Sequence, residues 1–379
     1  MNVVFISNYF NHHQRPLSDA FTRLTNGCFR FIATSEMRQE RRELGYGNWD
    51  IPSYVLDMTD GDQAGRCLEA IEKSDIIIAG SCPRGLFRKC VSYGKPVFNY
   101  SERLRKTDGF SDNLRLTAAI LRRIPKSRHI YLLAAGAYTY GDYARLGYFK
   151  DRAYKWGYFP EARSYFGIDR MLAEKQPRSI LWAGRLIGYK RAGDLIKAAA
   201  ILSSRGYDFR LDMIGSGVKE EEIGKMITDN SLEDKVVMKG SMPPEEVRSH
   251  MEKSEIFAIC ADKEEGWGAV LNEAMNSACA VVTSDAPGST PYLVKNGENG
   301  LIYRSGDVNA LADDIASLLD DSPKREALGK AAYGTINDSW NADVAAERLL
   351  VLAGRILSGD ASPDLFDEGP CSKAEIMRY

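Results

Sequence analysis

Histidine is scarce in this chain, with four in 379 residues. The cysteines are Cys28, Cys67, Cys82, Cys90, Cys260, Cys279 and Cys371, an odd number with no CxxC among them. A disulfide framework or a zinc ribbon needs ligands paired at short spacing, so buried or incidental thiols are the simpler reading. No apolar run approaches the ~20 residues of a membrane-spanning helix. The first run, Val3–Ile6, has no basic segment before it and no cleavage-like site after it, which predicts a cytoplasmic protein. Net charge is also small, with 50 Lys and Arg against 52 Asp and Glu. The 44% hydrophobic and 27% charged residues are an ordinary globular composition. At ~100–200 residues per domain, the length suggests two or three domains.

The near-neutral total conceals an asymmetry. Residues 1–160 hold 24 Lys and Arg against 16 Asp and Glu, and the remainder holds 26 against 36. Between residues 84 and 128 stand twelve basic residues against Glu102, Asp108 and Asp112. Within that stretch Leu114–Ile124 reads as an amphipathic helix, with Arg115, Arg122 and Arg123 beside Leu116, Ile120 and Leu121. Two readings stand here: peripheral docking on an anionic membrane surface, or a solvated basic face. Nucleic acid is not an expected partner, because no binding motif and no basic–aromatic interleaving accompany the charge.

Short runs of β-branched and aromatic residues alternate with helix-length segments. The predicted strands of the first half are Val3–Ser7, Phe29–Thr34, Ser53–Leu56, Asp75–Ala79, Pro96–Tyr100 and His129–Leu133. Continuous apolar runs fit strands covered on both faces, as in a parallel sheet. The alternation restarts at Ser179–Ala183 and continues through Arg210–Ile214, Lys235–Lys239, Ile256–Cys260, Ala280–Thr283 and Gly300–Tyr303. Two such series predict an α/β protein of two Rossmann-like doubly wound domains facing across a cleft. The expected division is a domain over 1–160, a linker over 161–178 and a second domain over 179–340. A terminal helix over 341–357, packing back toward the first domain, and a poorly structured tail over 358–379 complete it.

Chemistry concentrates in the second half. Asp262-Lys-Glu-Glu-Gly-Trp-Gly-Ala-Val-Leu-Asn-Glu-Ala-Met-Asn276 places seven residues between Glu265 and Glu273. Gly266 and Gly268 keep Glu265 in a loop after a strand, and Glu273 falls about one turn into the next helix. Carboxylates accept hydrogen bonds from sugar hydroxyls, and a helix start suits phosphate. Earlier, Gly184-Arg-Leu-Ile-Gly-Tyr-Lys-Arg191 puts Arg185 and Lys190 at a strand end, where cations can neutralise a diphosphate. Alone, the first segment also reads as capping acids and the second as a surface loop.

Five segments recur in fixed order: AGRLIGYKR, MIGSG (Met213–Gly217), VVMKGSM (Val236–Met242), EEGWGAVLNEA (Glu264–Ala274) and NGENGLIY (Asn296–Tyr303). In this the chain resembles the C-terminal domain of retaining glycosyltransferases of the two-Rossmann GT-B fold, most of all the large bacterial family 4. The likeness covers residues 179–320 by motif and residues 1–160 by architecture alone. It implies that Arg185 and Lys190 hold the donor diphosphate. Glu265 would contact the transferred sugar and Glu273 the ribose. The backbone of Gly266, Trp267 and Gly268 would face the donor, Met238 to Gly240 would read the base, and Gly215 and Gly217 would form the turn beside the nucleotide. The implied substrates are a UDP- or GDP-sugar donor, UDP ahead of GDP, and a saccharide or lipid-linked acceptor. The implied setting is bacterial surface polysaccharide or glycolipid synthesis, and no metal or other cofactor is expected.

This chain departs from the family pattern in three places. Gly288-Ser-Thr-Pro-Tyr292 has Tyr292 where relatives carry an acid. Ser7-Asn-Tyr-Phe-Asn-His-His-Gln-Arg-Pro16 replaces the first-domain glycine pair, making His13 a candidate catalytic residue beside His12, with helix capping as the alternative. Asn99-Tyr-Ser-Glu-Arg103 lacks the family's histidine, so Glu102 is the substitute, with an ion pair to Arg103 or Arg105 as the alternative. Asp60-Gly-Asp62 spells a metal motif of the other glycosyltransferase fold but sits in a turn-like run. Two rivals share the features of the second half: a nucleotide-sugar-binding protein without transferase activity, and a two-Rossmann UDP-sugar epimerase.

Overall fold

Strand 1, Val3–Ser7, is buried along its whole length, as expected of five residues from which charge is absent. It belongs to the first of two parallel sheets in a computed structural model that describes residues 1–37, 50–104 and 110–379, the side chains of 110–116 excepted. Arg105, Lys106 and Asp108 of the basic stretch lie outside the described residues, as do the side chains of Asp112, Leu114, Arg115 and Leu116.

The chain divides into two units, residues 1–161 with 339–379, and residues 162–338. In the first unit the strands are β1 (Val3–Ser7), β2 (Phe29–Ala33), β3 (Val55–Asp57), β4 (Ile76–Ala79), β5 (Val97–Glu102), β6 (Ile130–Ala135) and β7 (Ala153–Trp156). Their order in the sheet is β3-β2-β1-β4-β5-β6-β7. Both faces are covered. Val4, Ile6, Ile77, Val97 and Leu132 belong to one buried cluster, while Phe5 meets Phe31 at 5.1 Å on the other face. Burying each such side chain stabilises by ~1.5–3 kcal/mol.

The second unit repeats the plan with β8 (Gln176–Ala183), β9 (Arg210–Ile214), β10 (Val236–Met238), β11 (Ser254–Ile259), β12 (Ala280–Ser284) and β13 (Leu301–Tyr303), in the order β10-β9-β8-β11-β12-β13. In each sheet the chain first builds outward on one side and then reverses. The reversal lies between β1 and β4 in one sheet and between β8 and β11 in the other. Crevices at the carboxyl ends of strands at such reversals are where open α/β sheets bind ligands.

Three expectations need correction. β5 runs through Glu102 instead of ending at Tyr100, because its ladder to β6 continues through Ser101–Ala134 and Glu102–Ala135. The stretch 161–178 is not a plain linker: it contains a helix, Ile168–Ala173, the start of β8, and the buried Lys175. The tail is structured: Cys371 N donates to Lys155 O, Lys155 N donates to Ser372 O, and Ala374 N donates to Ala153 O, extending the β7 edge. The helix Ala342–Leu357 packs on the first helix of the same unit, Arg15–Leu24.

Candidate active site

Loops at the carboxyl edge of the second sheet are sewn together through their backbones. Gly184 N donates to Ile214 O at 3.0 Å, Leu186 N to Ser216 O at 2.9 Å and Gly215 N to Gly240 O at 2.7 Å. Gly215 has φ +136°, and a Cβ there would overlap the Gly184 carbonyl oxygen, so only glycine permits this closeness. Gly217 presses in the same way on the Leu186 carbonyl. Gly240 turns the chain out of β10, and Met238 stands half-buried at the end of that strand.

The basic and acidic segments meet across the β8/β11 reversal. Asp262 N donates to Tyr189 O at 2.8 Å, fixing one loop on the other. Lys190 Nζ then pairs with Glu265 Oε2, and the two side chains are 16% and 13% exposed. An ion pair so little exposed keeps more of its Coulomb energy than a surface pair. Arg185 is exposed beside them, its Nη2 donating to the Tyr189 hydroxyl at 2.8 Å. The result is a cation–carboxylate pair with an adjacent exposed guanidinium at a ligand-binding edge.

Gly268 (φ +89°) turns the chain from the Glu265 loop into the helix Val270–Asn276. That helix has seven residues and carries Glu273 in its first turn, in line with the spacing. Trp267 is 1% exposed and its Nε1 donates to Asn272 Oδ1 at 2.9 Å, so its indole supports the loop from within and only its backbone remains for a ligand. Ser289 of the Gly288–Tyr292 stretch reinforces this, with Oγ donating to Trp267 O at 2.6 Å.

Glu273 has different neighbours from Glu265. Burial raises its carboxyl above the usual range, and the charges of Arg248 and Arg163 pull it back in part. Those arginines are held by Asn276, whose Oδ1 accepts from Arg163 N at 2.7 Å and from Arg248 Nη2. Sequence reasoning missed this arginine pair, which comes from distant segments with no spacing signature. It also missed Lys175, whose Nζ donates to the carbonyls of Met251, Glu252, Ser254 and Ser277 at 2.7–3.2 Å.

In the first unit a cavity of about 370 Å³ opens at the carboxyl ends of β1, β4 and β5, lined among others by Ser7, Gln14, Asn99, Glu102, Arg123 and Tyr143. Glu102 is therefore a wall residue, and its Oε1 accepts from the Tyr158 hydroxyl at 2.8 Å. His13 is not on the wall; its ring lies 3.9 Å from that of His12 in the turn before the helix, and Gln14 points to the cavity instead. Arg123, read as a surface cation, turns inward and donates from Nη2 to the carbonyls of Gly80 and Cys82 at 3.1 and 3.2 Å. Arg122 and Leu121 are exposed. Asp60 caps the helix Gly61–Lys73, accepting from Asp62 N at 2.9 Å, so the Asp60-Gly-Asp62 motif is a helix start. No described helix is long and apolar enough to cross a membrane.

Two parallel α/β units, the second with stitched glycine turns and a Lys–Glu pair at its reversal, define the GT-B type of glycosyltransferase fold. Comparison agrees: residues 168–335, nearly all of the second unit, match the family of glycosyl transferases group 1. Among similar proteins are the amylovoran biosynthesis glycosyltransferase AmsK of Erwinia amylovora, 31% identical over 50% of this chain and 48% of that protein. Another is a GDP-mannose-dependent phosphatidylinositol monomannoside mannosyltransferase of Mycolicibacterium smegmatis, 30% identical over 46% of this chain and 48% of that one. The chain thus matches about half the length of these curated relatives. Over the whole fold, Anabaena Alr3699/HepE, solved with UDP, superposes with a TM-score of 0.69 at 14% identity, covering 94% of this chain and 100% of that one.

Proposed function

We propose that the chain transfers a sugar, with retention of configuration, from a nucleoside diphosphate sugar to a saccharide or lipid-linked acceptor in surface polysaccharide or glycolipid synthesis. The observation that carries this reading is the Lys190–Glu265 pair at the β8/β11 reversal, with Arg185 beside it. As the glycosidic bond breaks, negative charge grows on the leaving diphosphate. Lys190 and Arg185 stabilise that charge as it develops, which lowers the barrier rather than merely tightening binding. Glu265, relieved of part of its pairing, accepts from hydroxyls of the transferred sugar. Glu273 takes the ribose hydroxyls. Fixed cations make a metal ion unnecessary, so activity should survive EDTA.

UDP stands ahead of GDP as the donor nucleotide. Relatives support the acceptor class by name: one is described as acting on a diphospho-undecaprenol saccharide and another on a phosphatidylinositol mannoside. The exposed Leu121 and Arg122 suit docking on an anionic cytoplasmic membrane face, which sedimentation with anionic and neutral vesicles tests. A thermal-shift panel of UDP- and GDP-sugars tests the donor, since a ligand at 100 times its Kd stabilises by ~2.7 kcal/mol. Stabilisation by UDP-sugars and transfer in EDTA support the reading. No shift with any nucleotide sugar, or activity restored only by Mn²⁺ or Mg²⁺, overturns it. Product analysis without acceptor excludes an epimerase.

A further inference from the structure

The described lining of the first unit's cavity comes from that unit, at the β1/β4 reversal. Its size, about 370 Å³, falls at the small end of the range for small-molecule sites, enough for one or two rings and not for a long chain.

Two wall side chains are anchored at one end and leave a buried polar atom unpaired at the other. Gln14 Nε2 donates to Ser7 Oγ at 3.3 Å, while its Oε1 is buried and makes no hydrogen bond. Arg123 Nη2 is held by the carbonyls of Gly80 and Cys82, while its Nε is buried and makes none. A buried polar atom left unpaired is costly, and a ligand that pairs it recovers that cost. Gln14 supplies an acceptor suited to a hydroxyl, and Arg123 supplies a charged, directional donor suited to an anion. The remaining ionic wall residues are Arg103 and Glu102. Arg103 is 7% exposed and packs its guanidinium 5.0 Å from the centre of the Tyr138 ring and 6.0 Å from that of Tyr379. Glu102 is already engaged by Tyr158. Among the described lining residues, two guanidinium groups stand against one carboxylate.

We propose that this cavity holds a hydroxylated ring bearing an anionic group, a hexuronate or a sugar phosphate, with Arg123 on the anion and Gln14 on a ring hydroxyl. The inference rests on the transferase reading and names its acceptor class. Calorimetric titration of the full chain with glucuronate, glucose 1-phosphate and glucose tests it. At least one anionic probe should bind about tenfold or more tighter than glucose. Preference for glucuronate assigns a carboxylate, and preference for glucose 1-phosphate assigns a phosphate. Arg123→Gln should abolish the preference, and Gln14→Leu should weaken charged and neutral probes alike. Should Arg123→Gln fail to fold, Arg103→Gln must reduce the preference. Equal affinities for all three probes, no binding of any, or a preference untouched in the folded arginine variants overturns the inference. UDP and GDP titrated in parallel separate the two ideas: binding of either without anion preference overturns only the acceptor class. Anion preference with binding of neither UDP nor GDP overturns only the transferase reading.

Discussion

The two units share a topology and differ in how their chemistry is encoded. In residues 162–338 the site is made of loops that follow successive strands and touch through their backbones. Such contacts demand glycine at Gly215 and Gly217 and fixed spacing between Arg185 and Lys190 and between Glu265 and Glu273. In residues 1–161 the cavity is assembled from single side chains on separate segments, among them Gln14, Asn99, Arg123 and Tyr143. Backbone-built sites leave motifs, whereas side-chain-built sites can change residue by residue and leave none. On the proposed reading, the second unit carries the general donor chemistry and the first the particular acceptor.

The comparison breaks most readily at Lys190. Lys190→Ala should lower kcat by ~10²–10³, the scale of removing one group that stabilises transition-state charge. Steady-state rates on folded protein decide this. Pairing Lys190→Ala with Glu265→Gln should cost less stability than Lys190→Ala alone, because the single variant strands a carboxylate that is 13% exposed. A comparable loss, in stability instead of rate, is expected at Lys175. Lys175→Met abandons four carbonyls and should destabilise by roughly 2–4 kcal/mol in chemical denaturation. Gly215→Ala must open the contact with Gly184 and should cost roughly 2 kcal/mol with a loss of donor affinity.

Smallest in effect is Glu273→Gln. Donor KM should rise about tenfold with kcat less affected, as lost ribose contacts require. Its stability effect has a definite sign. Burial raises the folded-state carboxyl above its ordinary value, so folding favours the protonated form. The associated stability is present below the unfolded-state value and is lost as pH rises through the folded-state one. Glu273→Gln should therefore melt higher than the parent near pH 7.5, and the gap should close below the ordinary glutamate value of about 4.3. An unchanged gap at both pH values contradicts the desolvation of this acid.

Much of the fold was legible because its strands are short, apolar and doubly covered. β7, Ala-Tyr-Lys-Trp, was missed because a mixed four-residue edge strand has neither the run nor the alternation that marks a strand. The tail was misread for a related reason. Its order comes from pairing with that unrecognised edge, a partner some 200 residues away in sequence. The motif residues Lys190 and Glu265, far apart in sequence, do meet at one sheet edge, with Arg185 bonded to the neighbouring Tyr189. Composition misassigned Arg123, because a basic residue on an amphipathic helix reads as surface until the carbonyls of Gly80 and Cys82 are seen beneath it. His13 drew attention by rarity, while the cavity residue proved to be the unremarkable Gln14 next to it.

Titration of UDP, with GDP in parallel, into the full chain and into Lys190→Ala, both in EDTA, tests the central claim most directly. The proposed donor site of the second unit predicts one UDP per chain without metal, and an affinity reduced about tenfold or more once the cation is gone. Binding of neither UDP nor GDP to the parent protein, or equal affinity in the folded variant, would contradict it.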